Sequence, residues 1–160
     1  MVRFSITFAA KAAVALYASV VELGRNSSIS RHDVAGLMAE NYQPNFTIFT
    51  LGMITVLKTR EDAQAGIENV LNRYNETSLG TSFTWTDSLI EPVSNESAVA
   101  WVTWNFAPKN GLAPWDITTV YGYRLSEYNE TTSSFSGGFE WVNSDQEYQQ
   151  LLEKFPDFFP

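Results

Sequence analysis

The 160-residue sequence predicts an α+β domain in which helices cover one face of a strongly curved antiparallel sheet. Three observations carry that expectation. Apolar residues recur at helical spacing through the first half of the chain and at alternate positions in the stretch that begins at Phe83. Helix-start signals stand at Ser30, Thr59 and Ser144, so helices bracket the strands instead of alternating with them. Five Trp, seven Tyr and eleven Phe make 14% of the chain, which suits a sheet or an aromatic-lined cavity.

The first helix is expected over Phe8 to Leu23, where Ala9, Ala13, Leu16, Val20 and Leu23 recur at helical spacing. Ser30-Arg31-His32-Asp33 opens a second, with Val34, Leu37, Met38 and Asn41 along one face. A short strand follows at Phe46 to Phe49. Thr59-Arg60-Glu61-Asp62 repeats the capping logic for a third helix, whose stripe of Ala63, Ile67, Val70 and Tyr74 runs to Asn75. The period then changes to two. Strands are expected at Phe83 to Glu91, Ala98 to Phe106, Trp115 to Leu125 and Phe135 to Val142, with turns at Ser94-Asn95-Glu96 and Lys109-Asn110-Gly111. Ser144-Asp145-Gln146-Glu147 reads as a capping box before Tyr148, Leu151, Leu152 and Phe155, and Pro156 stops that last helix. One domain over residues 1–160 is expected, since a chain of 18.0 kDa buries enough surface to need no staple.

Composition excludes several function classes. There is no cysteine and one histidine, so thiol chemistry is impossible and a zinc site lacks its ligands. No metal or other cofactor is expected. The net charge of −8 repels phosphate backbones and no basic run overrides it, so nucleic acid is not an expected partner, nor is a membrane. The N-terminus admits two readings. Arg3, an apolar stretch and five N-x-Ser/Thr sequons at Asn26, Asn45, Asn75, Asn95 and Asn129 fit secretion. Lys11 interrupts the apolar run and the helical spacing fits a core helix, which favours a cytoplasmic protein.

The order helix, helix, short strand, helix, strands resembles the nuclear-transport-factor-2-like superfamily, as does the passage Tyr42-Gln43-Pro44-Asn45-Phe46. More narrowly, Trp115, Val120-Tyr121-Gly122-Tyr123-Arg124, Gly137-Gly138-Phe139-Glu140-Trp141 and the ending Pro156-Asp157-Phe158-Phe159 resemble the SnoaL-like proteins of filamentous fungi. The resemblance covers essentially the whole chain. It implies a cone-shaped sheet closed by helices around a shielded pocket, often in a homodimer. Several activities of the superfamily lack their residues here. Phe46 to Arg60 holds no carboxylate where ketosteroid isomerases carry an aspartate base, and one histidine cannot supply the pair of scytalone dehydratases or the strand histidine of polyketide cyclases.

Acid–base work then falls to carboxylates and phenols. Glu140, between Phe139 and Trp141, is the candidate acid/base if its strand turns it into an aromatic cone, which would raise its pKa; the opposite facing puts it in water. Tyr121 and Tyr123 share a strand face with Ile117, Thr119 and Leu125 and are candidate oxyanion donors or ordinary sheet-packing residues. Tyr17, Trp85, Trp101, Trp104 and Phe49 are candidate walls of a substrate pocket, Tyr17 also because family members place a hydroxyl donor on the first helix. His32 sits on the polar side of its helix and is expected in solvent. The expected activity is that of an isomerase or cyclase, or a dehydratase-type lyase, acting without cofactor on an apolar polycyclic intermediate of fungal secondary metabolism. A non-catalytic binding or dimerisation module on the same fold is the alternative.

Overall fold

In a computed structural model that describes residues 5–159, six strands form one sheet; the first, third and fourth α-helices pack on it, and the second packs on the first and third. The chain runs through helix α1 (Ile6–Val21), a 3-10 turn at Glu22–Arg25, α2 (Arg31–Ala39), β1 (Tyr42–Thr50), β2 (Met53–Leu57) and α3 (Arg60–Glu76). The strands β3 (Phe83–Pro92), β4 (Ser97–Phe106), β5 (Trp115–Asn129) and β6 (Ser134–Asn143) follow, and α4 (Asp145–Lys154) ends the fold. The sheet order is β2-β1-β6-β5-β4-β3. Within it β3 to β6 form the expected antiparallel meander, but β1 joins β6 in parallel, so the sheet is mixed and not wholly antiparallel.

The strand after α2 is longer than its apolar core suggests and continues into a hairpin. Leu51 (φ 49°) and Gly52 (φ 82°) both take left-handed backbone between paired Thr50 and Met53, the geometry of a two-residue type I′ turn. That turn favours Asn-Gly, and a leucine in the first position hides it from the sequence. Its backbone is fastened from outside, since Leu51 N–H donates to Asp145 Oδ1 at 2.6 Å.

Two caps form as expected. Ser30 Oγ accepts from Asp33 N–H at 3.0 Å, and Thr59 and Asp62 make a reciprocal capping box. The third does not: Ser144 makes no side-chain cap, and Asn143 Oδ1 takes the Asp145 N–H instead. Glu147, the residue expected to complete that box, is left for other partners.

Helix α1 buries Ile6, Ala9, Ala10, Val14, Tyr17 and Ala18, while Leu16 stands exposed, so its core face is rotated from the stripe expected through Ala13 and Leu16. The small alanines let it lie close across β3 to β6, with Tyr17 turned into the protein. Ile6–Arg25 is long and apolar enough to cross a membrane by length and composition, and its buried face is part of the core. Arg3 of the N-terminal stretch lies outside the described residues. In α2 the buried face is Val34, Ala35, Gly36 and Ala39, with Leu37 exposed. Helix α3 packs on α2 and on the β1–β2 hairpin, and α4 packs on β5 and β1. The concave side of the sheet is thereby roofed by α1, α3 and α4.

Candidate functional site

Between the sheet and this roof lies a cavity of about 150 Å³. Each wall follows from a local rule. Strand alternation in β5 sends Ile117, Thr119 and Tyr121 inward, β4 contributes Trp104, and β1 contributes Tyr42, Phe46 and Ile48. Helical spacing brings Ile67, Val70, Leu71 and Tyr74 from α3, and the start of α4 adds Ser144, Glu147 and Tyr148. Among the described residues the lining holds no lysine, arginine or histidine, and Glu147 is its one carboxylate.

Glu147 accepts a hydrogen bond from Tyr74 Oη at 2.8 Å through Oε1. Its Oε2 accepts none among the described residues, yet no buried side-chain oxygen there lacks a partner, so Oε2 borders open space. Burial pushes this carboxyl up from 4.5 to about 7, and the bond from Tyr74 only partly opposes that rise. The residue keeps some accessible surface, as a side chain facing a cavity does.

Around it the phenols are held protonated. Tyr17 and Tyr42 share a hydrogen bond of 2.6 Å, and Tyr121 interacts with Thr119 and Tyr17. Desolvation raises Tyr17, Tyr42, Tyr74 and Tyr148 well above the ordinary phenol range and Tyr121 to about 12. The negative charge of Glu147 adds to the rise in Tyr42, Tyr74, Tyr121 and Tyr148. Trp104 Nε1 donates to Thr119 Oγ1 at 3.0 Å and is thereby oriented at the cavity wall. The arrangement is a carboxyl that can be taken or given a proton near neutral pH, beside a set of neutral O–H donors in an aromatic enclosure.

Of the residues expected at the site, Tyr17, Trp104 and Tyr121 line this cavity. Glu140 does not. In β6 the register to β5 slips between the pairs Gly122–Trp141 and Tyr123–Phe139, leaving Glu140 as the extra residue of a bulge. Phe139 and Val142 point inward, whereas Glu140 and Trp141 both lie in an outer groove with Arg124, Thr47 and Phe49. Strict alternation fails here by one residue. Glu140 Oε1 meets Arg124 Nε at 2.5 Å, with the two side chains 34% and 48% exposed, so it is an ion-paired surface residue outside the aromatic enclosure. Trp141 lies so close over Gly122 that a Cβ there would sit 2.1 Å from its Nε1.

Tyr123 is buried but lies beside Phe135 and Gly137, away from the roofed cavity. Trp101 is 42% exposed and donates to Glu91 on the outer face; Phe49 lies in the outer groove; Trp85 sits in a shallow groove with Phe8, Lys11 and Ala15 of the α1 region. None of these three walls the cavity: Trp101 and Phe49 face outward, and Trp85, paired with Trp104 just before the bulge at Thr86, lies against α1 instead. His32 is exposed and paired with Glu68 at 2.8 Å, which raises its pKa. Glu147, Tyr74 and Tyr42 were hidden by stronger local signals. The capping pattern accounts for Glu147 and the helical stripe for Tyr74 as core, while Tyr42 enters the strand through its parallel pairing with Phe139 of β6, which local sequence does not display.

No protein-family model matches the chain, and no curated protein matches it by sequence. Solved structures do. A nuclear-transport-factor-2-like protein from Shewanella oneidensis MR-1 superposes with a TM-score of 0.56 at 10% identity, covering 84% of this chain and 97% of that one. A ketosteroid isomerase-like protein from Erwinia carotovora atroseptica gives 0.54 at 12% identity, covering 88% and 95%. A domain with a cystatin-like fold from Nostoc punctiforme gives 0.58 at 13% identity, covering 97% and 88%. At such identities the likeness speaks for the fold alone, and the chain has the cone-shaped α+β fold of the nuclear-transport-factor-2-like proteins.

Proposed function

We propose that the protein is a cofactor-independent isomerase or lyase that moves a proton to and from a carbon acid in the roofed cavity. The observation that carries this reading is Glu147, a carboxyl with a free oxygen and a pKa near 7 in an enclosure otherwise lined by apolar and phenolic side chains and a few hydroxyls. In this role Glu147 takes a proton alpha to a carbonyl. Tyr17, Tyr42 and Tyr121 donate to the oxygen that gains charge, which requires donors that remain protonated. Return of the proton to another carbon gives isomerisation; departure of a beta substituent gives elimination. Fold kinship with a ketosteroid isomerase-like protein supports the chemistry by analogy.

The substrate class follows from size and charge. A cavity of about 150 Å³ suits a molecule of about one ring, smaller than the polycyclic compound expected from the sequence. With no cation among the described residues of the lining, carboxylates and phosphates are disfavoured. The SnoaL-like sequence pattern supports an intermediate of fungal secondary metabolism as its source, and Phe49, Ile54 and Val56, exposed on the outer sheet face, support the homodimer.

Deuterium exchange tests this directly. Small cyclic ketones and β-hydroxy ketones are incubated with the protein in D2O and followed by proton NMR. The wild type should exchange alpha protons above background, and Glu147→Gln should lower the rate about 10²–10⁴-fold with the fold intact. Glu140→Gln should leave it unchanged. Absence of exchange across the panel, or full activity in Glu147→Gln, would favour the non-catalytic binding module.

A further inference from the structure

The same cavity has a second chemistry written into its walls. We infer that it binds a small alkylammonium ion, with the free Oε2 of Glu147 as counter-ion and the surrounding aromatic side chains as a cage. The inference rests on the cavity and on Glu147's place in it, but not on catalysis.

Four features point the same way. The single carboxylate has one oxygen committed to Tyr74 and one free. Tyr17, Tyr42, Tyr74, Tyr121, Tyr148 and Trp104 surround the space, and aromatic walls attract desolvated cations through the negative faces of their rings. Among the described residues no lysine, arginine or histidine lines the cavity to repel a cation or to occupy the carboxylate first. The whole chain carries a charge of −8, which raises the local concentration of cations around it. A neutral ligand would use the phenols but leave the free carboxylate oxygen without a partner.

Occupancy is then coupled to one proton. The groups facing Glu147 are Tyr74 from α3, Tyr148 from its own helix, Tyr42 from β1 and Tyr121 from β5, all held protonated by burial. Among the described residues no charged side chain contributes to the position of the Glu147 equilibrium. The carboxyl is mostly neutral below pH 7 and ionised above it, so ammonium binding should strengthen as pH rises through about 7. An ammonium ion held there would also keep Glu147 from acting as an acid.

The test compares choline with 3,3-dimethylbutan-1-ol, which has the same shape and no charge. Binding to the intact protein is followed by titration calorimetry between pH 5.5 and 8. At pH 8 choline should bind at least about tenfold more tightly than the alcohol. This preference should fade toward pH 5.5 and vanish in Glu147→Gln. Equal affinities, a preference that survives in Glu147→Gln, or no binding of either compound would overturn the inference. Where Glu147→Gln does not fold, Tyr74→Phe replaces it: loss of the bond that favours the ionised carboxyl should move the onset of the preference to higher pH, and an unmoved onset would overturn the inference. Deuterium exchange fails independently of these outcomes, because choline needs no turnover to bind.

Discussion

Glu140 and Glu147 stand seven positions apart, both beside aromatic residues in sequence, and the fold treats them in opposite ways. Glu140 sits on the outer face of the sheet, paired with Arg124 in water. Glu147 sits under the roof, bonded to the phenol of Tyr74 and pushed toward neutral pKa. Aromatic neighbours along the chain therefore say little about a carboxyl's environment. What decides is which side of the sheet the backbone presents, and a one-residue bulge reverses that.

The largest effect should come from emptying the inner face. Phe139→Ala removes a ring that is 1% exposed and packed against Tyr17, Tyr121 and Tyr123, and should cost about 3–5 kcal/mol in chemical denaturation. Glu140→Ala, its neighbour on the outer face, should stay within about 1 kcal/mol. Equal losses at the two positions would refute the inside-outside assignment.

Next in size is the pH dependence that separates the two carboxyls. The folded pKa of Glu147 is raised, so the folded state binds the extra proton between pH 4.5 and about 7. Its contribution to stability is fully present below pH 4.5 and is lost as pH climbs through 7, amounting to at most about 3 kcal/mol. Urea midpoints from pH 4.5 to 8 should show a decline that Glu147→Gln removes and Glu140→Gln retains.

Thr119→Val sharpens the inner side of the comparison. It deprives Trp104 Nε1 of its buried acceptor and should cost about 1–3 kcal/mol, with a shift in tryptophan emission. The smallest effect belongs to Arg124→Ala, which breaks the exposed outer pair and should change thermal stability by about 1 kcal/mol or less.

Most of the frame was legible in the sequence because it rests on local rules. Ser30 and Thr59 cap their helices as their spacing indicates, and β3 to β6 fall within a few residues of their alternating segments. The β1–β2 hairpin was not legible, since its turn puts Leu51 where asparagine or glycine is usual. The parallel union of β1 with β6 depends on residues far apart in the chain, which no window of sequence displays. The site was half legible. Tyr17, Tyr121 and Trp104 were accessible through periodicity and resemblance, whereas Glu147 looked like a helix cap until Asn143 took that task.

The anchoring of α4 has a practical consequence at the bench. Besides the Asn143 cap and the Leu51–Asp145 bond at its start, the helix that carries Glu147 is anchored by the segment that follows it, where Arg73 donates to the carbonyl oxygens of Asp157 and Phe158 and Phe158 is buried against Tyr74. An affinity tag fused behind these residues, or proteolytic trimming of them during purification, would loosen one of the segments that hold the ionisable group in register. Preparations differing only in tag position would then disagree in activity and pH profile while giving the same circular dichroism spectrum.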